Sequence, residues 1–188
     1  MPAIEFTIRR KVFTLFGAKF HIFGDDGALI GYSEQKAFKL KEDIRVFSDE
    51  SKSAEKLAVR ARSIIDFSAA YDVYNSLTQT KIGALKRKGF ASLIRDSWIV
   101  FDPHDGEIGA IREDNLLLAL IRRHIAGWLV PQHFIFHDAH NQQLAEFRTH
   151  FNPFVHRLTV RIEPQCPVDP VLILAAGILL VAIEGRQT

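Results

Sequence analysis

Four segments of the sequence share one pattern of hydrophobic and polar positions. Each alternates apolar and polar residues, passes through a polar turn, and resumes with an aliphatic residue followed by a small one. They are residues 20–32 (FHIFGDDGALIGY), 71–85 (YDVYNSLTQTKIGAL), 98–111 (WIVFDPHDGEIGAI) and 134–147 (FIFHDAHNQQLAEF). A period of two turns one face of a strand inward, and Asp, Asn and Gly favour tight turns. We therefore predict four β-hairpins, which together indicate a sheet that closes on itself or a sandwich.

The small residue after each turn predicts an irregularity in the second strand of the hairpin. It is Gly31, Gly83 and Gly109 in the first three segments and Ala145 in the fourth. A small residue inside a strand is typical of a β-bulge or of the close approach of another strand.

Further strands are predicted between the hairpins. Residues 154–163 alternate strictly and predict a half-buried strand. One face carries Phe154, His156, Leu158, Val160 and Ile162. Residues 38–47 show a similar but less regular pattern. Residues 53–62 (SAEKLAVRAR) have helical propensity, whereas the apolar run at 64–67 that follows favours a strand, so both structures remain open for this segment.

Two helices are predicted, and the first covers residues 116–129. Asp114 or Asn115 can cap its start, and Pro131 ends it.

The second helix is an uninterrupted apolar run, VLILAAGILLVAI, at residues 171–183. Asp169 and Pro170 occupy the cap and first-turn positions, and Gly185 lies at the expected stop, so the helix covers about 170–184. Thirteen residues rise only about 20 Å, whereas a bilayer core needs ~30 Å. A helix that is apolar on every face and too short to span a membrane is predicted to be buried in protein.

Composition indicates one globular domain over residues 1–188, because 47% of the residues are hydrophobic and 24% are charged. The chain has 15 Phe and a single Met, which favours strands over a helical bundle. A formal net charge of +2 argues against a nucleic-acid partner. Cys166 is the only cysteine, so no intrachain disulfide is expected. The first residues, MPAIEFTIRRKVF, lack the apolar core of a signal peptide, which predicts a cytoplasmic location.

Four stretches together carry a family resemblance. They are KAFKLKEDIRVFSDE, ARSIIDFSAAYDVYNS, IGALKRKGFASLIRDSWIVFD and GEIGAIRED. The sequence resembles the tubby C-terminal-like superfamily, and more narrowly its LURP-one-related and phospholipid-scramblase-like branch. The resemblance covers about residues 6–183 and depends on the order of the hairpins and the terminal apolar helix.

The resemblance implies a mainly β fold, a closed antiparallel barrel of about twelve strands that encloses the hydrophobic C-terminal helix. The helix at 116–129 would then be a connection outside the barrel. Tubby-like domains are associated with phosphoinositide binding through basic residues on the barrel surface. The resemblance therefore implies a non-enzymatic domain that binds anionic phospholipid at a membrane surface, although it assigns no individual binding residue in this sequence.

Three basic clusters are candidates for a lipid-binding site. The densest contains Lys86, Arg87 and Lys88, followed by Gly89, Phe90 and Arg95; the second contains Arg9, Arg10 and Lys11; and the third contains Arg122, Arg123 and His124 beside Trp128. Neighbouring cations on a strand end can bind a phosphate head group. Strand alternation places Lys86 and Lys88 on one face and Arg87 on the other. The alternative is that each cluster is a solvated charge run, or a helix that simply packs on the barrel.

No metal site or cofactor is predicted. His133 and His137 lie on a strand, where four residues span about 13 Å, too far for shared ligation. Scramblase-like relatives are associated with calcium, but the acidic turns at 25–27 and 102–106 do not follow the EF-hand spacing and are explained by hairpin geometry.

The sequence contains no phosphate-binding loop, dinucleotide fingerprint or nucleophile elbow, and Cys166 beside Pro167 is typical of a packing residue. The expected function is therefore a non-enzymatic, phosphoinositide-type lipid-binding barrel, cytoplasmic or peripheral on a membrane. The alternatives are a scramblase-like lipid-moving protein, whose terminal helix would have to leave the barrel, and a soluble adaptor that binds a protein partner without lipid affinity.

Overall fold

A computed structural model describes residues 2–11, 18–35, 43–62, 70–88, 97–114, 132–150 and 155–183. Within these residues the chain forms twelve strands and one helix. They are β1 (Ile4–Lys11), β2 (Ala18–Gly24), β3 (Leu29–Gln35), β4 (Asp43–Phe47), β5 (Glu55–Ala61), β6 (Ala70–Asn75), β7 (Thr80–Arg87), β8 (Ser97–Phe101), β9 (Glu107–Glu113), β10 (His133–Asp138), β11 (Gln143–His150), β12 (Val155–Ile162) and α1 (Pro170–Ile183).

The twelve strands form a closed antiparallel barrel in which each strand pairs with its neighbours in sequence. The first strand pairs with the last, from Ile4 opposite Ile162 to Lys11 opposite Val155. Closure leaves no strand edge free to pair with another chain. The predicted mainly β barrel with a C-terminal helix is confirmed.

The four predicted hairpins are the pairs β2–β3, β6–β7, β8–β9 and β10–β11. In each, the register shifts by one residue beside the turn. The extra residues are Ile30, Ile82, Ile108 and Leu144, and each directly precedes the small residue noted in the sequence. The predicted bulges are therefore confirmed, and a fifth register shift occurs between β4 and β5.

Close strand approach explains the glycines at two of these bulges. A Cβ atom at Gly109 would overlap the carbonyl oxygen of His137, and one at Gly83 would overlap the carbonyl oxygen of Phe101. Both oxygens belong to the backbone of a neighbouring strand, so a side chain at either position would require the backbone to move.

Acidic side chains hold the hairpin turns. Oδ1 of Asp102 accepts hydrogen bonds from the backbone N–H groups of His104 and Gly106, each at 2.8 Å. Asp138 holds the β10–β11 turn in the same way. An Asx turn of this kind fixes the backbone and at the same time fixes the direction of its carboxylate.

The helix α1 fills the barrel lumen, and ten of its 14 residues are buried. The predicted cap is confirmed, because Oδ1 of Asp169 accepts the Val171 N–H at 2.8 Å. Near the helix centre, Gly177 lets the barrel wall come close: a Cβ there would lie 2.9 Å from Ile8 Cδ1 and 3.2 Å from Val160 Cγ2. The helix is too short to cross a membrane, and no other described segment forms a membrane-spanning helix.

Some of the remaining sequence predictions concern residues that the structure describes, and others concern residues outside the described ranges. The strand predicted at 154–163 is β12, with Leu158, Val160 and Ile162 buried. The segment at 53–62, left open between helix and strand, contains strand β5, because pairing with β4 and β6 overrides its helical propensity. The predicted strand at 38–47 contains β4. The helix predicted at 116–129 and the apolar run at 64–67 lie outside the described residues.

Candidate anion-binding surface

The barrel has two chemically different ends. At the first, called the turn end, lie the five hairpin turns and the start of α1. At the second, called the loop end, α1 ends and strands such as β1, β7 and β9 have their last residues. This polarity follows from the antiparallel order, since every second strand begins at the same end.

Charge is distributed unevenly between these ends. Acidic residues predominate among the described residues of the turn end, where they include Asp25, Asp26, Asp49, Glu50, Asp102, Asp105, Glu107, Asp138, Glu163 and Asp169. Basic residues predominate among those of the loop end, where they include Arg9, Arg10, Lys19, Lys86, Arg87, Lys88, Arg112, Arg148 and Arg157. The net charge is only +2, but the charges are separated along the barrel axis into an acidic end and a basic end.

The polarity matches the dipole of the enclosed helix. Anions stabilise a helix N-terminus and cations a C-terminus. Asp169 caps the N-terminus at the turn end, and at the loop end the guanidinium of Arg10 donates from Nη1 to the carbonyl oxygen of Val181 at 3.1 Å. Arg10 thus satisfies a carbonyl that has no partner within the last turn.

The densest predicted cluster lies at the loop end of β7. Lys86 and Lys88 are exposed and Arg87 is half-buried, as the predicted alternation requires. The residues opposite Lys86 on the flanking strands are Ala70 and Ile99, which carry no charge.

The other predicted cations of these clusters lie outside the described residues. They are Arg95, Arg122 and Arg123, together with Gly89, Phe90, His124 and Trp128.

A second basic surface forms where the first and last strands meet. Arg9 on β1 lies directly opposite Arg157 on β12, which lies opposite His150 on β11. Both arginines are exposed on the outer wall near the loop end. We call Arg9, Arg157 and His150 the basic row. Directly opposed residues in an antiparallel sheet have Cβ atoms about 5 Å apart, so two like charges here repel each other.

Two rows nearer the turn end, the same wall places acidic residues directly beside an arginine. Arg161 on β12 is flanked by Glu5 on β1 and Glu146 on β11. Arg148 reaches Glu146 at 3.2 Å. No acidic residue lies directly opposite Arg9 or Arg157 on the strands that pair with them, and neither arginine has a carboxylate within 4.0 Å among the described residues. The basic row is therefore a cationic surface that contains no acidic residue of its own.

Arg9 is held in place by an aromatic ring. Its guanidinium carbon lies 4.5 Å from the centroid of the Phe23 ring on β2. A cation–π contact of this kind orients the guanidinium and leaves its N–H donors available.

His150 adds a neutral group to the row. Burial, followed by the charges of Arg157 and Arg148, lowers the pKa of His150 below its ordinary value. Its Nε2 lies 2.9 Å from Oγ1 of Thr159. Burial is the largest cause of this shift, and the two arginines act in the same direction because they disfavour a further positive charge nearby.

Sequence reasoning identified Arg9, Arg10 and Lys11 as one cluster, but the barrel separates Arg9 from Arg10. Arg9 faces outward to the basic row, whereas Arg10 faces the lumen and contacts the end of α1. The pairing of Arg9 with Arg157 had no local signal in the sequence, because it depends on closure between the two ends of the chain.

Other candidate chemistry is accounted for by packing and turns. Cys166 packs against the core, as predicted, and burial raises the pKa of its thiol. Nε2 of His133 lies 2.8 Å from Oε1 of Glu146. Across the described part of the chain, no three His, Cys, Asp or Glu side chains come close enough to hold a metal ion.

Comparison with known proteins identifies the family. No curated protein and no solved structure shows significant similarity to the chain. A family model described as LURP-one-related matches residues 29–181. This match covers most of the barrel and nearly all of α1. The chain belongs to the LURP-one-related family of the tubby-like superfamily.

Proposed function

We propose that this protein is a non-enzymatic barrel that binds anionic phospholipid head groups, of the phosphoinositide type, at a cytoplasmic membrane surface. The observation that carries the proposal is the basic row, in which Arg9 and Arg157 lie opposite each other with no carboxylate partner among the described residues.

Phosphate is the ligand chemistry that such a pair favours. A guanidinium presents a planar fork of N–H donors that matches two phosphate oxygens, and two adjacent guanidinia suit a dianionic or multiply phosphorylated group. Bound phosphate would also remove the repulsion between Arg9 and Arg157. A head group with several phosphates therefore gains more at this surface than a singly charged one.

The remaining cations of the loop end favour an orientation in which this end of the barrel faces the membrane. Lys86 and Lys88 lie at the end of β7, and Lys19 at the start of β2, all toward the loop end. Each Lys or Arg close to an anionic membrane contributes about 1 kcal/mol, and this contribution declines within about 10 Å at moderate salt. The acidic turn end would face away from the membrane.

The alternative of a lipid-moving protein requires α1 to leave the lumen. Ten of its residues are buried in the barrel. Full burial of one large aliphatic side chain contributes about 1.5–3 kcal/mol, so release would forfeit several such contributions at once. The structure therefore favours a surface-binding module over a helix-inserting one.

Liposome co-sedimentation tests the proposal. We expect the wild-type protein to sediment with phosphoinositide-containing vesicles, to ignore neutral phosphatidylcholine vesicles, and to dissociate as salt rises. The double variant Arg9→Gln, Arg157→Gln is expected to bind roughly 30-fold more weakly, since two contributions of about 1 kcal/mol are lost.

A matched control is available on the same wall. Arg161→Gln removes one exposed arginine that Glu5 and Glu146 flank, and we expect it to leave vesicle binding within about twofold of wild type. Equal binding to neutral and anionic vesicles, or equal loss in the control and the double variant, would contradict the proposal.

A further inference from the structure

At the turn end, an open cavity of about 580 Å³ lies beside the start of α1. Ligand sites for small molecules are commonly 300–1,000 Å³, apolar inside and bordered by a few polar groups. This cavity is on the opposite end of the barrel from the basic row, and the lipid proposal does not use it.

The floor of the cavity is apolar and is built by the bulges. Ile82, Ile108 and Leu144 are the extra residues of three neighbouring hairpins, and Leu172 from the first turn of α1 completes the floor. The bulge in each hairpin adds one residue beside the turn, and these three added side chains line one space.

The border of the cavity is acidic. Asp102, Glu107, Asp138 and Asp169 line it, and no described residue forms a salt bridge with any of the four. Lys81 also lines it, but its ammonium already contacts Asp72 at 3.1 Å and Asp105 at 2.8 Å. His140 is the one other basic side chain among the described residues around the cavity.

Three of the four carboxylates are fixed in direction. One oxygen of Asp102, Asp138 and Asp169 accepts backbone N–H groups of a turn or of the helix start. The second oxygen of each accepts no hydrogen bond from any described residue. Carboxylates already held in place lose little freedom when they bind a cation, which favours affinity.

We propose that this cavity binds an apolar organic amine, with the hydrocarbon part on the bulge side chains and the ammonium among the border carboxylates. The apolar floor excludes a simple hydrated cation as the best ligand. The start of α1 carries only about half a positive charge, so the four border carboxylates outweigh it and disfavour fatty acids and phosphates. The same chemistry is offered by a free alkylamine and by a lysine side chain between apolar residues of a peptide.

Titration followed by two-dimensional amide NMR tests the proposal on the full chain. The probes are hexylammonium, hexanoate of matched chain length, and the capped peptide Leu-Lys-Leu. We expect saturable shifts from hexylammonium at the amides of residues 82, 108, 140 and 144, and no saturable shift there from hexanoate. Tighter binding of the peptide would identify a protein side chain as the ligand source, and tighter binding of hexylammonium would identify a free amine.

Glu107→Gln is the most informative variant, because this carboxylate lines the cavity and accepts no hydrogen bond from a described residue. We expect it to weaken hexylammonium binding about threefold. Glu5→Gln removes the same charge from the outer wall and is expected to leave binding unchanged. Equal affinity for hexylammonium and hexanoate, shifts away from the cavity, absence of saturable binding, or equal effects of the two variants would overturn the proposal. Vesicle binding through the basic row would be unaffected by either result.

Discussion

At the residue scale, two of the bulge positions require glycine because of the next strand around the barrel. That strand is not the partner of the glycine's strand within the hairpin. Gly109 lies on β9, and the oxygen that excludes a side chain there belongs to His137 on β10. The sequence showed that the position after each turn is small, which was enough to predict a bulge. It did not show which strand made the approach, because that depends on the order of strands around the barrel.

Gly109→Ala is expected to lower the free energy of unfolding by about 2–3 kcal/mol, because the added methyl group overlaps a backbone oxygen that cannot rotate away. Gly27→Ala is the matched comparison. Gly27 has φ of 79° but no atom within 4 Å of a built Cβ, so only backbone strain of about 1 kcal/mol applies. Urea unfolding of both variants measures the difference, and a larger loss in the Gly27 variant would contradict this explanation.

A second residue-scale prediction concerns His156 in the lumen. Burial and the neighbouring Arg10 lower the pKa of His156 from its ordinary 6.5 to about 4. The unfolded chain therefore takes up the proton at higher pH than the folded barrel does. The stability contributed by the neutral imidazole is complete above pH 6.5 and is lost as the pH falls toward 4, by about 3 kcal/mol in total.

His156→Gln removes this titration. We expect the free energy of unfolding of the wild type to fall between pH 7 and pH 4.5 more steeply than that of the variant, as measured by urea unfolding at both pH values. His104→Gln, on an exposed turn, serves as the control and should keep the wild-type slope. Identical slopes in the wild type and the His156 variant would show that this imidazole is not the proton-linked group.

At the element scale, the apolar C-terminal run behaves as its length indicated. The apolar run between Asp169 and Gly185 is too short to span a bilayer and therefore predicts a buried helix, and α1 occupies the lumen as predicted. The segment at 53–62 was harder, since its local propensity favours a helix while its place between β4 and β6 requires a strand. The segment forms a strand because it pairs with β4 and β6, and a single sequence does not show which segments will pair.

Leu179→Ala is expected to cost about 2–5 kcal/mol, because Leu179 is fully buried between the helix and the barrel wall and its loss leaves a cavity. Leu174→Ala on the same helix removes the same atoms from a partly buried position and should cost less than half as much. Urea unfolding compares the two variants. Similar losses would mean that the lumen relaxes around α1 rather than packing tightly against it.

At the scale of the whole molecule, charge separation along the barrel axis is the property that sequence reasoning missed. The basic clusters were visible in the sequence, but their positions on the barrel were not. Lys86 and Lys88 belong to the densest cluster along the chain, whereas the opposition of Arg9 and Arg157 appears only in the structure. Those two arginines lie near opposite ends of the chain and meet only because β1 closes against β12. Net charge, which is nearly balanced, gave no indication of this polarity.

The proposed function requires the basic loop end, and not the acidic turn end, to face an anionic membrane. Environment-sensitive labelling tests this directly. In a Cys166→Ala background, the variants Lys19→Cys at the loop end and Thr78→Cys at the turn end each receive one NBD fluorophore. With phosphoinositide vesicles, we expect a blue shift and brighter emission from the label at residue 19 and no change at residue 78. A shift at residue 78 without one at residue 19 would contradict the account.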